Sequence, residues 1–225
     1  MNTRWVFQNR QDAGRRLASE LAARNYPKGP TVVLGIPNGG MAVAAPVARV
    51  LGTELDIISA RRVLHPQWPK TSIGAVAADG TLLLNDLLIA EWGLDSETLD
   101  KAVRRAYRQA RREEAYFRGS RPSPILTGKT VILVDDGLIT GYTMMVAAQS
   151  VQSQGAEHVV VAVPTASVQT SWRIRAMADS SVCLTRPYAT PREAYRDFEP
   201  VPDEFVLRLL LEPQAVFETV PVYRA

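Results

Sequence analysis

Apolar residues arrive along this chain in two rhythms. Short runs rich in β-branched residues, bounded by glycine, proline or polar residues, recur at residues 31–36, 55–60, 131–134, 158–164 and 181–184. Each reads as a strand, and Val131-Ile132-Leu133-Val134 reads as one buried on both faces, as in parallel sheets. Between them lie stretches with helical spacing. Ala13, Leu17 and Leu21 mark a leading amphipathic helix over residues 8–24, and Leu99, Val103, Tyr107 and Ala110 mark a long one over residues 95–118. Further helices are expected at residues 41–51, after residue 143, at residues 167–178 and at residues 203–211. Residues 73–77 and 81–84, joined through Asp79-Gly80, read as a β ribbon. Alternation of strand and helix predicts an α/β fold, with a core parallel sheet of about five strands flanked by helices.

Composition fits this picture. A chain of 225 residues with 46% hydrophobic and 22% charged residues suits one soluble globular domain spanning residues 1–225, with its core at residues 31–198 and a small hood or tail at residues 186–225. No apolar run approaches the roughly 20 residues needed to cross a bilayer, and Met1-Asn2-Thr3-Arg4 is not followed by an apolar secretory segment. Cys183 is the single cysteine, so no internal disulfide forms. A cytoplasmic protein is expected. The net charge of +3 indicates no partner by its sign. Arg104, Arg105, Arg108, Arg111 and Arg112 concentrate basic charge on the long helix; a solvated face explains them more simply than nucleic-acid binding.

The candidate chemistry lies where the buried strand at residues 131–134 ends. Asp135 and Asp136 sit at its exit, and Gly137 and Thr140-Gly141-Tyr142-Thr143 lead into the next helix. The first turn of a helix leaves backbone N–H groups unpartnered, and these, with the helix dipole and two hydroxyls, make a site for a phosphate. Ligands of open α/β sheets settle beyond the carboxyl ends of the strands. A phosphate cradle beside paired carboxylates, which accept hydrogen bonds from a diol, suits a sugar phosphate. A second glycine-rich turn, Pro37-Asn38-Gly39-Gly40, follows the first strand and offers another anion-binding backbone, though this run is also ordinary turn chemistry. A receiver-type phosphoacceptor domain also ends a strand in paired aspartates, but it needs a downstream lysine. The chain has none after Lys129.

Four apolar residues, Asp-Asp, three mostly apolar residues and Thr-Gly-x-Thr resemble the phosphoribosyl pyrophosphate (PRPP) signature of type I phosphoribosyltransferases. The layout is most similar to bacterial members without an assigned acceptor base. The resemblance implies that Asp135, Asp136, Gly137, Thr140, Gly141, Tyr142 and Thr143 bind PRPP, and that Pro37, Asn38, Gly39 and Gly40 form a pyrophosphate loop. Many relatives carry a basic residue where this chain has Asn38. It implies Mg²⁺ carried by PRPP rather than held in a protein cage, transfer of the phosphoribosyl group to a nitrogenous base, and a homodimer. A flexible catalytic loop is expected at residues 61–72, with Arg61, Arg62 and His65 reaching the departing pyrophosphate; a histidine in a surface loop is the plainer reading of His65. The loop after residue 185 is expected to contribute to a base pocket, with Tyr188, Tyr195 and Phe198 as candidates for stacking, or else to pack on the core. Ile139 stands where purine-salvage members for hypoxanthine and guanine place a carboxylate. The rival reading is a regulator that binds PRPP or a nucleotide without transfer, with nucleic-acid contact through the basic helix.

Overall fold

A computed structural model of the chain describes residues 5–185 and 190–211. In chain order its elements are α1 (Arg10–Ala23), β1 (Thr31–Gly35), α2 (Gly39–Leu51), β2 (Glu54–Ile57), β3 (Ala60–Leu64), β4 (Ser72–Ala77), β5 (Leu82–Leu84), α3 (Asp86–Glu91), α4 (Ser96–Arg118), β6 (Thr130–Val134), α5 (Tyr142–Ser153), β7 (His158–Thr165), α6 (Val168–Arg175), β8 (Ser180–Thr185) and α7 (Asp203–Leu211). A short 3₁₀ turn, Pro191–Ala194, precedes α7.

Strands β2, β1, β6, β7 and β8 lie side by side in that order as a parallel sheet, so the expected α/β architecture is the one observed. All five residues of β6, at the centre, are buried. Successive side chains feed opposite faces. Val33, Ile132, Val134 and Val160 pack with Leu17, Leu21, Val43 and Val47 of α1 and α2. Val32, Leu34, Val131, Leu133 and Val161 pack with Met144, Ala147 and Val151 of α5 and Ile174 of α6. Both faces are therefore apolar, which is why these strands read as unbroken hydrophobic runs rather than as alternation.

The β ribbon is larger than expected. β3, β4 and β5 form a three-stranded antiparallel sheet, and the run anticipated as one strand over residues 55–60 divides at Ile58-Ser59. Ile58 still donates its N–H to Gly35 of the main sheet, whereas the Ser59 carbonyl accepts from Ala78 of the ribbon. The chain changes sheets at that step, placing Arg61 and Arg62 inside a strand; Pro66 and Pro69 break regular structure only between β3 and β4. Helix α4 covers this ribbon as its stripe predicts. Leu99, Val103 and Tyr107 pack with Ala106 against Val63, Ile73 and Val76. The short α3 was not anticipated; its signal is Asn85, whose side chain caps Leu88 N–H ahead of an apolar triplet.

Edge strand β2 is tied to α4 through Asp56, which is 6% exposed. Arg118 Nη1 donates to it at 2.8 Å and Arg121 Nη2 at 3.1 Å. Removing one member of a buried ion cluster strands the others, at a cost of about 3–5 kcal/mol. Asp56→Ala is expected to lower the unfolding free energy by that order in a urea titration. A change near zero would mean that the cluster is solvated.

Candidate functional site

The two glycine-rich turns meet because their strands are neighbours. β1 pairs with β6 in register from Thr31↔Thr130 to Gly35↔Val134, and Ile36 N–H extends the ladder to the Val134 carbonyl at 3.0 Å. Both chains leave the sheet at the same edge. The Pro37–Asn38 peptide is cis, and α2 begins at Gly39. A β-carbon at Gly39 would lie 2.0 Å from Asp136 Oδ2, and one at Gly40 would lie 2.8 Å from the Val134 carbonyl. Only a residue without a side chain permits the carboxylate to come so close to the turn.

Each aspartate has a distinct set of partners. Asp135 Oδ1 accepts the N–H of Asp136 at 2.8 Å, and Asp136 Oδ2 accepts from Arg10 Nε at 2.8 Å. Arg10 is fixed in turn: its guanidinium carbon lies 3.7 Å from the centroid of the Phe198 ring, and its Nη1 donates to the Glu199 carbonyl at 2.7 Å. The Tyr195 hydroxyl donates to the Asp136 carbonyl at 2.7 Å. Burial, and next the charge of Asp136, pushes the Asp135 carboxyl well above its ordinary range. Burial also raises that of Asp136, outweighing the opposing pull of Arg10. The side chain of Asp136 nonetheless keeps 18% of its surface, so a ligand can reach it.

The turn into α5 begins at Gly141, whose φ of 80° lies in the left-handed region and which serves as N-cap without a side-chain hydrogen bond. The first turn of α5 is thus uncapped by any side chain. Behind it, Thr170 Oγ1 of α6 donates to the Ile139 carbonyl at 2.5 Å. Tyr142 is half-buried and packs beside Ala60, Ala75 and Val146. The Ile139 side chain is 57% exposed.

Asp135, Asp136, Gly39 and Gly40 are therefore brought together, with residues 140–143 on the chain that continues from the pair. Asn38 has a different task from anion contact: its Nδ2 donates to the Val201 carbonyl at 3.0 Å and to Asp203 Oδ1 at 2.6 Å, anchoring the turn to the start of α7. Arg61, Arg62 and His65 make no hydrogen bond, ion pair or ring contact with either turn among the described residues. Arg61 pairs with Glu113 of α4, whose carboxyl burial raises. His65 is no surface residue: it is 3% exposed, its Nδ1 accepts the N–H groups of Gln67 and Trp68, and its ring meets Trp92 edge-on. Tyr188 lies outside the described residues. Tyr195 is corrected as a candidate for base stacking: it is 2% exposed and packs between Phe7 and Phe198. Sequence reasoning missed Arg10, because its partner lies 126 residues away and nothing local marks it. Among the described residues no group of three or more His, Cys, Asp or Glu side chains could hold a metal ion, and no helix is long and apolar enough to cross a membrane.

Two variants test this geometry. Gly39→Ala forces Asp136 off Arg10 and is expected to cost about 1–3 kcal/mol, the range for overpacking, in chemical denaturation; wild-type stability would contradict the contact. For Asp135 the sign follows from its raised folded value: stability is full below the unfolded value near 3.8 and is lost as pH rises through the folded one. Asp135→Asn lacks that loss, so its thermal midpoint should increasingly exceed that of wild type as pH rises from about 4 to about 7. A gap that narrows over that range would contradict the electrostatics.

Comparison with known proteins agrees with the geometry. The chain matches the model of the phosphoribosyl transferase domain over residues 7–187. The crystal structure of TT1426 from Thermus thermophilus is 37% identical, with a TM-score of 0.76 covering 92% of this chain and 98% of that one. Two curated Mycobacterium tuberculosis proteins, from strains H37Rv and CDC 1551, have names that give phosphoribosyl transferase as a provisional assignment. Each is 36% identical over 207 residues, or 91% of this chain. The chain spans 46% of the length of these curated relatives. With its sheet, paired aspartates and two adjoining turns accounted for, the chain belongs to the phosphoribosyl transferase domain family.

Proposed function

We propose that the protein transfers the 5-phosphoribosyl group of Mg²⁺-PRPP to a nitrogenous base and releases pyrophosphate. The observation that carries this reading is the contact between the Gly39-Gly40 turn and the Asp135-Asp136 pair. A ligand seated at that junction has carboxylates on one side and two turns suited to anions around it. Asp135 and Asp136 accept hydrogen bonds from the ribose hydroxyls, and the uncapped first turn of α5, with Thr140 and Thr143, holds the 5′-phosphate. The backbone at residues 37–40 receives the pyrophosphate. The protein's part in the reaction is positioning and stabilisation of charge as the anomeric carbon becomes oxocarbenium-like.

The donor set fits a metal that arrives with its substrate. Two carboxylates, one already paired with Arg10, make no cage for a resident ion, and Mg²⁺ prefers to keep several waters and phosphate oxygens. Bound with PRPP, it neutralises charge on the departing diphosphate. Arg10 limits the repulsion between the diphosphate and the acidic pair.

The exposed Ile139 bears on the acceptor. An apolar side chain cannot take a proton, so hypoxanthine and guanine are disfavoured relative to bases that need no general base at that position. The commitment of Asn38 to Asp203 supports a second reading, a regulator that binds PRPP without transferring it, because no side-chain charge of residue 38 assists the leaving group.

A pyrophosphate-release assay with Mg²⁺-PRPP over purine, pyrimidine and pyridine bases separates the two. Release that depends on one base is expected; binding with no release for any base would leave the regulator. Calorimetric affinity for Mg²⁺-PRPP should fall about 10- to 100-fold in Asp135→Asn/Asp136→Asn, the loss of one or two charge-assisted hydrogen bonds. It should also rise with pH as the raised carboxyls ionise. Unchanged affinity in the double variant would remove the ribose from this site.

A further inference from the structure

A cavity lies beside the ribbon, and none of its lining residues belongs to either turn of the candidate site. It encloses about 330 Å³ between the end of β3 and the N-terminal half of α4. Its polar lining is Arg62, His65, Thr98, Lys101, Arg105 and Gln109, with no carboxylate among the residues that form the walls. Glu97 stands just outside and pairs with Lys101 at 2.7 Å. Arg62 and Arg105 have no ion-pair or hydrogen-bond partner among the described residues. By contrast, Arg61 and Arg104, their immediate neighbours in sequence, are matched to Glu113 and Asp100.

The second observation is the buried imidazole. His65 is 97% removed from solvent and its Nδ1 accepts two backbone N–H groups at 3.2 Å, so the ring proton resides on Nε2. That Nε2–H has no hydrogen-bond partner among the described residues, although the residue lines the cavity. An unpartnered donor on the wall of a cavity is free to donate to an oxygen of a ligand there. Arg62 and Arg105, two unpaired guanidiniums whose planar forks match phosphate oxygens, line the same cavity, and Leu64 and Ala106 make its walls partly apolar.

We propose that this cavity is a binding site for a small phosphate-bearing molecule with an apolar or planar body, of mononucleotide size, separate from the site between the two turns. The phosphate lies between Arg62 and Arg105 and accepts from His65 Nε2, while the body rests on the apolar wall. A cavity of this volume, floored by the buried His65, suits a small molecule rather than a nucleic acid strand, which would also need the arginines of α4 that lie outside it. Occupancy joins the ribbon to α4, the two elements that Arg61 and Glu113 already connect, so the ligand stiffens the ribbon. The inference rests on none of the residues at the two turns, and it gives Arg62 and His65, which the resemblance places at the departing pyrophosphate, a different task.

The chain has only two histidines, which makes a local readout available. AMP is titrated into the full chain while the imidazole resonances are followed by NMR, with His158, exposed at the start of β7, as internal control. A saturating shift of His65 alone is expected. In Arg62→Glu/Arg105→Glu, and in the milder Arg62→Ala/Arg105→Ala, the apparent affinity at His65 should weaken about tenfold or more with the thermal midpoint unchanged. A His65 signal that does not move, that moves equally in the variants, or that responds to short single-stranded RNA more tightly than to AMP would overturn the proposal. Each of these outcomes is independent of whether Mg²⁺-PRPP binds at Asp135 and Asp136.

Discussion

The site depends on one close approach: the backbone of Gly39-Gly40 against the carboxylates and strand end of Asp135-Asp136. A pair of like charges at the edge of an apolar sheet is unfavourable in itself, since burial and mutual repulsion both push the carboxyls toward their neutral form. What makes the arrangement tenable is geometry fixed from behind. β1 and β6 are locked in register by apolar side chains on both faces, so their two turns are held side by side, and Arg10 supplies the compensating charge from a third element. The acidic pair is thus held ready by the core rather than by its own loop, as preorganised electrostatics require.

The periphery of the chain joins the site for the same reason. Helix α1 brings Arg10 to Asp136, and it seats closely on α2, where a β-carbon at Gly14 would lie 2.5 Å from the Val43 carbonyl. The segment before α7 stacks Phe198 on Arg10, and the start of α7 receives Asn38 through Asp203. Elements that carry little of the motif therefore set the position and charge of the residues that do.

Much of this was legible in the sequence because the signals were local. Strand β6 announces itself by an unbroken apolar run, α4 by its stripe and its Asp95 cap, and the acidic pair and Thr-Gly turn by contiguity. The parallel pairing of β1 with β6 then sets them beside residues 37–40. What could not be read depends on long-range pairing. The Arg10–Asp136 contact has no local mark. The division of residues 55–60 between two sheets depends on which strand pairs with Ser59, and Arg61 and Arg62 look like loop cations until β4 is placed beside them. His65 reads as exposed just ahead of two prolines, yet two backbone N–H groups and Trp92 enclose it.

The most direct test is a crystal structure of the protein soaked with a ribose 5-phosphate compound. The expected placement has the ribose hydroxyls on Asp135 and Asp136 and the phosphate against Thr140, Gly141 and Thr143. A phosphate bound elsewhere, or carboxylates engaged only with Arg10 while the sugar lies outside the two turns, would contradict it.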